Sequence, residues 1–375
     1  MSRRTAGEGC VREREDGRWS ATVSLGFGTD GKRVRKTFYG ATAEEVGAKL
    51  LEARSKAARG VPIRANERGT VAKYLARWLE TRKASIRPAS YASYESIVRV
   101  HVIPAIGSRQ LARLTPQHVS AVTAALAAKR SGTTARGVRK VVSAALRDAM
   151  EEGLIARNVA AISKAPHAEP KPIEALTPAE ARTLLDHVAG DPLRRALWMT
   201  LLLTGLRRGE ALGLAWSGCD LVAGTASITR TLIAVRGRAI EGEPKTRAGR
   251  RTIPLPASLV DLLRGVQAAQ FRAHASRWVF ADPTTGGQLH PHTVSDWWVA
   301  DVKAAGLPHR KLHSTRHTFA SWAAAGGTSV RDVADMLGHA DPGVTLKMYQ
   351  RSFESTKRDA SDRVASRLLG EVATS

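Results

Sequence analysis

Residues 313 to 319 read His313-Ser314-Thr315-Arg316-His317-Thr318-Phe319. On a helix, His313 and Arg316 stand one turn apart on one face, with His317 beside them and Phe319 turned toward the core. Three donors on one turn suit the oxygens of a phosphodiester, because a guanidinium offers a two-pronged fork and an imidazole can also move a proton. A histidine standing alone is more often a satisfied core residue. Zinc is a poorer reading, since no Cys or carboxylate lies nearby at metal-ligand spacing. Neither a metal nor a cofactor is expected.

Three further segments carry groups of the same kind. In Thr204-Gly205-Leu206-Arg207-Arg208-Gly209-Glu210, the arginine follows an apolar run, Ala196 to Leu203, and precedes Ala211, Leu212 and Leu214. Arg207 is therefore expected where one buried helix turns into the next, a place in which it needs an anionic partner. That partner is either an external anion or Glu210 at i,i+3. In Leu337-Gly338-His339-Ala340-Asp341-Pro342, Gly338 can end a helix that starts near Ser329 and buries Val330, Val333, Met336 and Leu337. His339 then falls on a loop or a fresh helix start, with Thr345 and Tyr349 beyond it. Tyr349 alone reads as packing or surface. Finally, Pro244-Lys245-Thr246-Arg247-Ala248-Gly249-Arg250-Arg251 is a basic turn ahead of the alternating Thr252-Ile253-Pro254-Leu255. A hairpin tip carrying Lys245 could reach a bound backbone, although a solvated charged loop has the same composition.

These groups need a scaffold. Residues 11 to 40 alternate polar and apolar positions around Asp16-Gly17 and Asp30-Gly31, which predicts three strands joined by two Asp-Gly turns. Thr42 and Glu45 form a capping box for a helix whose apolar side is Val46, Leu50 and Leu51. Residues 57 to 70 suit a linker. Val71, Tyr74, Leu75 and Trp78 mark the buried face of a following helix, and Tyr91, Tyr94, Ile97 and Val100 that of a second, closed by Pro104. Thr115-Pro116-Gln117 starts a third, and a fourth runs from Thr134 to Glu152 with Val138, Val141, Val142, Ala145, Leu146 and Met150 inward. A proline-bearing stretch from 159 to 176 is the best domain boundary. Beyond it, Thr177-Pro178-Ala179-Glu180 caps another helix, Ala226 to Ile233 and Arg251 to Leu255 read as strand, and helix resumes after Pro291. The fold class is thus multidomain and mainly α with small antiparallel sheets: a three-stranded sheet plus helix, then a helical bundle, then an α+β domain.

The formal charge is +24, from 58 Lys and Arg against 34 Asp and Glu, an excess that attracts a polyanion such as nucleic acid or an acidic membrane surface. It is densest over residues 66 to 166, with 17 basic and 6 acidic groups. Cys10 and Cys219 are too few for a disulfide framework, so a reducing compartment is expected. No run approaches the roughly 18 apolar residues that span a bilayer, and no membrane partner is expected. These features predict a cytoplasmic protein associated with the nucleoid.

Taken in order, Arg207 in Thr-Gly-Leu-Arg, Lys245 on the basic turn, His313 and Arg316 in His-x-x-Arg-His, His339 in Leu-Gly-His, and Tyr349 resemble the catalytic set of the tyrosine recombinase, or phage integrase, family. The resemblance covers nearly the whole chain. It implies an arm-type DNA-binding domain over 1–60, a helical core-binding (SAM-like) domain over 66–165, and a catalytic domain over 174–375. It also implies cleavage of double-stranded DNA attachment sites through a 3′-phosphotyrosyl link at Tyr349. The expected assembly is a homo-tetramer in the synaptic complex, with a DNA-bending host factor and an excision directionality factor as accessory partners. Gly218 and Arg351 depart from relatives that often carry an acidic residue and a histidine there. The arm-type domain favours integration of a phage or other mobile element, and three rivals stay open: a chromosome or plasmid resolution recombinase, a type IB topoisomerase, with the same nucleophile and no chosen site, and a DNA-binding regulator that has lost cleavage.

Overall fold

The computed structural model describes residues 10–27, 33–58, 69–164, 174–244, 247–341, 343, 345 and 346. The chain divides into two compact units, Met1–Pro170 and Lys171–Ser375. In the first, β1 (Cys10–Glu13), β2 (Trp19–Phe27) and β3 (Arg33–Gly40) form an antiparallel sheet in that order. The Asp16-Gly17 turn is present, with Gly17 at φ +73 and the Arg18 N–H donating to the Asp16 carboxylate. Asp30-Gly31 lies outside the described residues.

Helix α1 (Ala43–Ala58) begins as its cap predicts, the Thr42 hydroxyl accepting the Glu45 N–H at 3.2 Å. The returning bond lands one residue early, from the Ala41 N–H to the Glu45 carboxylate. Val46, Leu50 and Ala53 pack with Ala21 and Val23 of the sheet, whereas Leu51 is 70% exposed. A helix returns to the same face after four and seven residues, and five residues carries Leu51 well off it.

A separate core is built by α2 (Val71–Lys83), α3 (Pro88–Ile97), α4 (Ile103–Ile106), α5 (Pro116–Lys129), α6 (Gly132–Glu151) and α7 (Val159–Ile162). The four apolar positions expected on α2 are buried, and Tyr74 of that helix donates to the Ala145 carbonyl of α6 at 2.7 Å. Three expectations fail here. Val98 and Val102 are buried in place of Val100, because the backbone widens to i→i+5 bonding over Val98–Val102 just ahead of Pro104. A proline lacks the N–H for the normal bond and pushes against the carbonyl four residues back, so the phase of the helix slips. Pro104 does not close the segment, which runs one turn further to Gly107. Met150 is likewise exposed, its place on the buried stripe of α6 taken by Ala149.

The second unit opens with α8 (Pro178–His187), whose Thr177–Glu180 capping box forms in both directions. It continues through α9 (Pro192–Thr204) and α10 (Arg208–Leu212) to β4 (Cys219–Asp220), β5 (Thr225–Ile228), β6 (Thr231–Val235), β7 (Arg238–Gly242) and β8 (Arg251–Pro254). Strands pair in the order β4-β5-β8, while β6 and β7 form a separate hairpin. The single strand expected from Ala226 to Ile233 therefore breaks between Ile228 and Thr231. Its second half turns back at Arg236 and Gly237, both at positive φ, as a two-residue hairpin requires. Helix α11 (Ala257–Ala273) returns earlier than Pro291, followed by α12 (Pro291–Ala304), α13 (Ser314–Ala325) and α14 (Val330–Leu337).

Trp198 of α9 and Trp298 of α12 meet edge to face at the centre of this core. Asp301 accepts the Trp198 indole N–H at 2.8 Å, and the Trp298 indole N–H donates to the Arg310 carbonyl at 2.7 Å. No helix among the described residues is long and apolar enough to cross a membrane.

Candidate active site

Arg316, on the first turn of α13, is the pivot. Its side chain is buried, 1% exposed, and one guanidinium nitrogen donates to the Gly205 carbonyl at 2.9 Å while another donates to the Leu337 carbonyl at 2.6 Å. Those carbonyls end α9 and α14, where the helix itself supplies no partner and its dipole favours a cation. Both helices stop on a left-handed glycine, Gly205 at φ +62 and Gly338 at φ +65. A Cβ on Gly205 would stand 2.5 Å from Leu337 and 2.6 Å from Phe319, so the ends of the two helices and α13 close on one another with no room for a side chain. One buried arginine thus holds the segment leading to Arg207 against the segment leading to His339.

Arg207 sits at the N-terminus of α10. The pairing with Glu210 is formed: the Arg207 backbone N–H donates at 3.0 Å and its guanidinium at 2.6 Å. The side chain is nevertheless 43% exposed, so pairing with Glu210 leaves it open to solvent. Glu210 is buried and also accepts from Arg251 at 3.0 Å. Burial raises the Glu210 pKa, but the charge and hydrogen bond of Arg251, with the backbone N–H and charge of Arg207, outweigh it and hold the carboxyl below its usual range. The sequence reading missed Arg251. The signal was there, since Arg251 lies two residues before the buried Ile253 on β8 and so on its inward face.

His313 precedes α13, its ring edge-on to that of His317 at 5.4 Å. Burial lowers its pKa, helped by the charges of Arg316 and Arg207. His339 follows Gly338, its N–H donating to the Ala334 carbonyl at 2.9 Å and its Nδ1 hydrogen-bonded to the Thr345 hydroxyl at 2.6 Å. Burial first, then Arg316, Arg207 and Arg251, press His339 down to about 4 against the opposing Glu210. Arg316 is pushed down to about 9 by burial and then Arg207, and stays charged at neutral pH. Three guanidiniums, those of Arg207, Arg251 and Arg316, and two neutral imidazoles therefore share one electrostatic neighbourhood. It is strongly positive, and among the described residues Glu210 is the one buried carboxylate that offsets it.

Lys245 and Tyr349 lie outside the described residues. The described strands that flank this stretch, β7 and β8, belong to different sheets. The chain approaches Tyr349 through Thr345, which is buried and bonded to His339.

Two outcomes follow from this geometry. The folded His339 value lies below the ordinary value of about 6.5, so the unfolded chain binds more protons between about pH 4 and 6.5. The stability this group contributes is present above about pH 6.5 and lost as pH falls toward 4. Denaturant titrations of wild type and His339→Gln at pH 7.5 and 5 should show wild type losing more stability on acidification, and equal losses would contradict the assignment. Gly338→Ala forces a Cβ to φ +65, 2.8 Å from Arg251 and 2.9 Å from the Ala248 carbonyl. It should cost at least about 1 kcal/mol, whereas Gly137→Ala, in open space on α6, should stabilise by about 0.5 to 1 kcal/mol. The same titrations read both.

Comparison with known proteins places this architecture. Residues 174–356 match the phage integrase family, and residues 70–125 match the N-terminal SAM-like domain of phage integrases. An integrase of Streptomyces ambofaciens is 29% identical, the match covering 94% of this chain and 94% of that protein. Among solved structures, the Tn1549 transposon integrase in complex with transposon right end DNA superposes with a TM-score of 0.70 at 22% identity, over 79% of this chain and 99% of that one. A lambda integrase tetramer bound to a Holliday junction superposes with a TM-score of 0.61 at 18% identity, over 88% and 96%. The likeness to both structures is one of fold. The chain belongs to the phage integrase family, the site-specific tyrosine recombinases.

Proposed function

We propose that this chain integrates a phage or other mobile element by cutting and rejoining duplex DNA through a covalent 3′-phosphotyrosyl intermediate at Tyr349. The observation that carries the reading is the buried Arg316, whose two carbonyl contacts hold the Arg207 and His339 segments around one positively charged site. Attack on phosphorus concentrates negative charge on the nonbridging oxygens, and donors fixed where that charge develops lower the barrier most. Arg207 and Arg316, with His313 and His339, fill that role. The Tyr349 phenol, near pKa 10 in water, needs a base, and the neutral His313 is suited to accept its proton. Lys245 protonates the departing 5′-oxygen. Because the phosphotyrosyl link conserves the bond energy, a 5′-hydroxyl from a partner strand reseals it without a cofactor.

In this reading, residues 1–60 bind arm-type DNA, 66–165 bind the core site, and 174–375 carry out catalysis. The dense positive charge of 66–166 suits a backbone clamp whose affinity falls with salt. The lambda enzyme's tetramer on a Holliday junction is the pattern for assembly here, with a DNA-bending host factor and a directionality factor as accessory partners on nucleoid DNA in the cytoplasm. The test pairs a two-site recombination assay, using attachment sequences recovered from the element's junctions, with relaxation of a supercoiled plasmid lacking them. Recombination confined to the attachment sites supports the reading. Relaxation of any plasmid without strand exchange would make the chain a topoisomerase, and binding without either product would make it a regulator.

A further inference from the structure

One carboxylate serves two guanidiniums in this site. Glu210 accepts from the Arg207 backbone at 3.0 Å, the Arg207 guanidinium at 2.6 Å and the Arg251 guanidinium at 3.0 Å. Arg251 differs from Arg207 in that all three of its guanidinium nitrogens donate to acceptors within the protein. Its side chain is only 8% exposed, and its other contacts are internal, Nε to the Met336 carbonyl at 2.6 Å and Nη1 to the Gly249 carbonyl at 3.1 Å. Met336 is in the last turn of α14, three residues before His339, and Gly249 ends the turn that follows Lys245. The charge balance matters as much as the tether. Shared between two cations, Glu210 leaves the trio with a net positive charge; left with Arg207 alone, it would neutralise the group that must grip the phosphate.

We infer that Arg251 is a positioning residue for strand cleavage: it takes up part of the Glu210 charge so that Arg207 stays net positive and fixed, and it ties the His339 and Lys245 segments to that pair. The inference rests on the recombinase reading above. A plain structural brace and a charge-balancing one make opposite predictions once Glu210 is also neutralised. Removing both charges cannot repair lost packing, but it does restore the uncompensated charge of Arg207.

The experiment measures single-turnover cleavage of a nicked suicide duplex at saturating DNA, with Kd from gel shift and folding from thermal melts. Arg251→Met should cleave about 100-fold more slowly while Kd stays within about threefold. Arg251→Met combined with Glu210→Gln should recover at least about tenfold of that loss. A double variant no faster than Arg251→Met, or a loss that resides in Kd, would overturn the inference. If Arg251→Met fails to fold, Arg251→Lys decides: it keeps a charge for Glu210 and should cleave at least about tenfold faster than Arg207→Ala. A rate as low as Arg207→Ala would overturn it. Wild type and Tyr349→Phe run beside these variants. Absence of covalent product from wild type condemns the recombinase reading itself, whereas a cleaving wild type with no rescue condemns the role of Arg251 alone.

Discussion

Tyr349→Phe will bind attachment-site DNA within about threefold of wild type and form no covalent complex, a loss of at least about 10⁴-fold in cleavage. The change removes one oxygen. It leaves in place the basic surface, which sets affinity through phosphate contacts, and the buried Arg316, which donates to two backbone carbonyls. A suicide duplex run on a denaturing gel reads the result directly. A shifted protein–DNA band from Tyr349→Phe would move the nucleophile to another residue and dismantle the assignment.

The two arginines should separate in a second way. In the proposed mechanism Arg207→Ala and Arg316→Ala each remove a donor to the reacting phosphate, at an expected cost of about 100- to 1000-fold in cleavage rate. Their effects on stability should differ. Arg207 is half in solvent, and its partner Glu210 keeps Arg251, so the change should cost under about 1 kcal/mol. Arg316 is buried and satisfies the last carbonyls of two helix ends, so Arg316→Ala orphans both and opens a cavity, costing at least about 2 kcal/mol. Denaturant unfolding beside single-turnover cleavage resolves the two. Equal stability losses would mean that Arg316 is not the tie between the Thr-Gly-Leu-Arg and Leu-Gly-His segments.

Where local rules and tertiary packing agree, the sequence is a sound guide. Thr177 and Glu180 cap α8 in both directions, Ser329 starts α14 and Gly338 ends it, because each motif satisfies backbone groups within its own few residues. Arg207 stands between two helices as its apolar flanks require. The failures have one kind of cause, which is that a partner distant in sequence sets the outcome. Val100 loses its place to Val98 and Val102 when Pro104 widens the preceding turn, and the strand expected from Ala226 to Ile233 breaks because β5 pairs with β8 while β6 pairs with β7. Glu210 was legible as a partner for Arg207, but its sharing with Arg251 depends on a strand 41 residues away. Arg316 could be read as a phosphate donor, yet nothing within its own segment announces that it also closes two helix ends.

The central claim is that the donors gathered by Arg316 surround a phosphate attacked by the phenol at 349. The most direct measurement traps wild-type protein on a suicide duplex carrying a labelled 3′ end, digests the complex with trypsin and nuclease, and identifies the modified peptide by mass. Cleavage after Lys347 and Arg351 releases Met348-Tyr349-Gln350-Arg351, and the account predicts a 3′-linked nucleotide phosphate on its tyrosine. A nucleotide joined through its 5′ phosphate, or one carried by any other peptide, would contradict it.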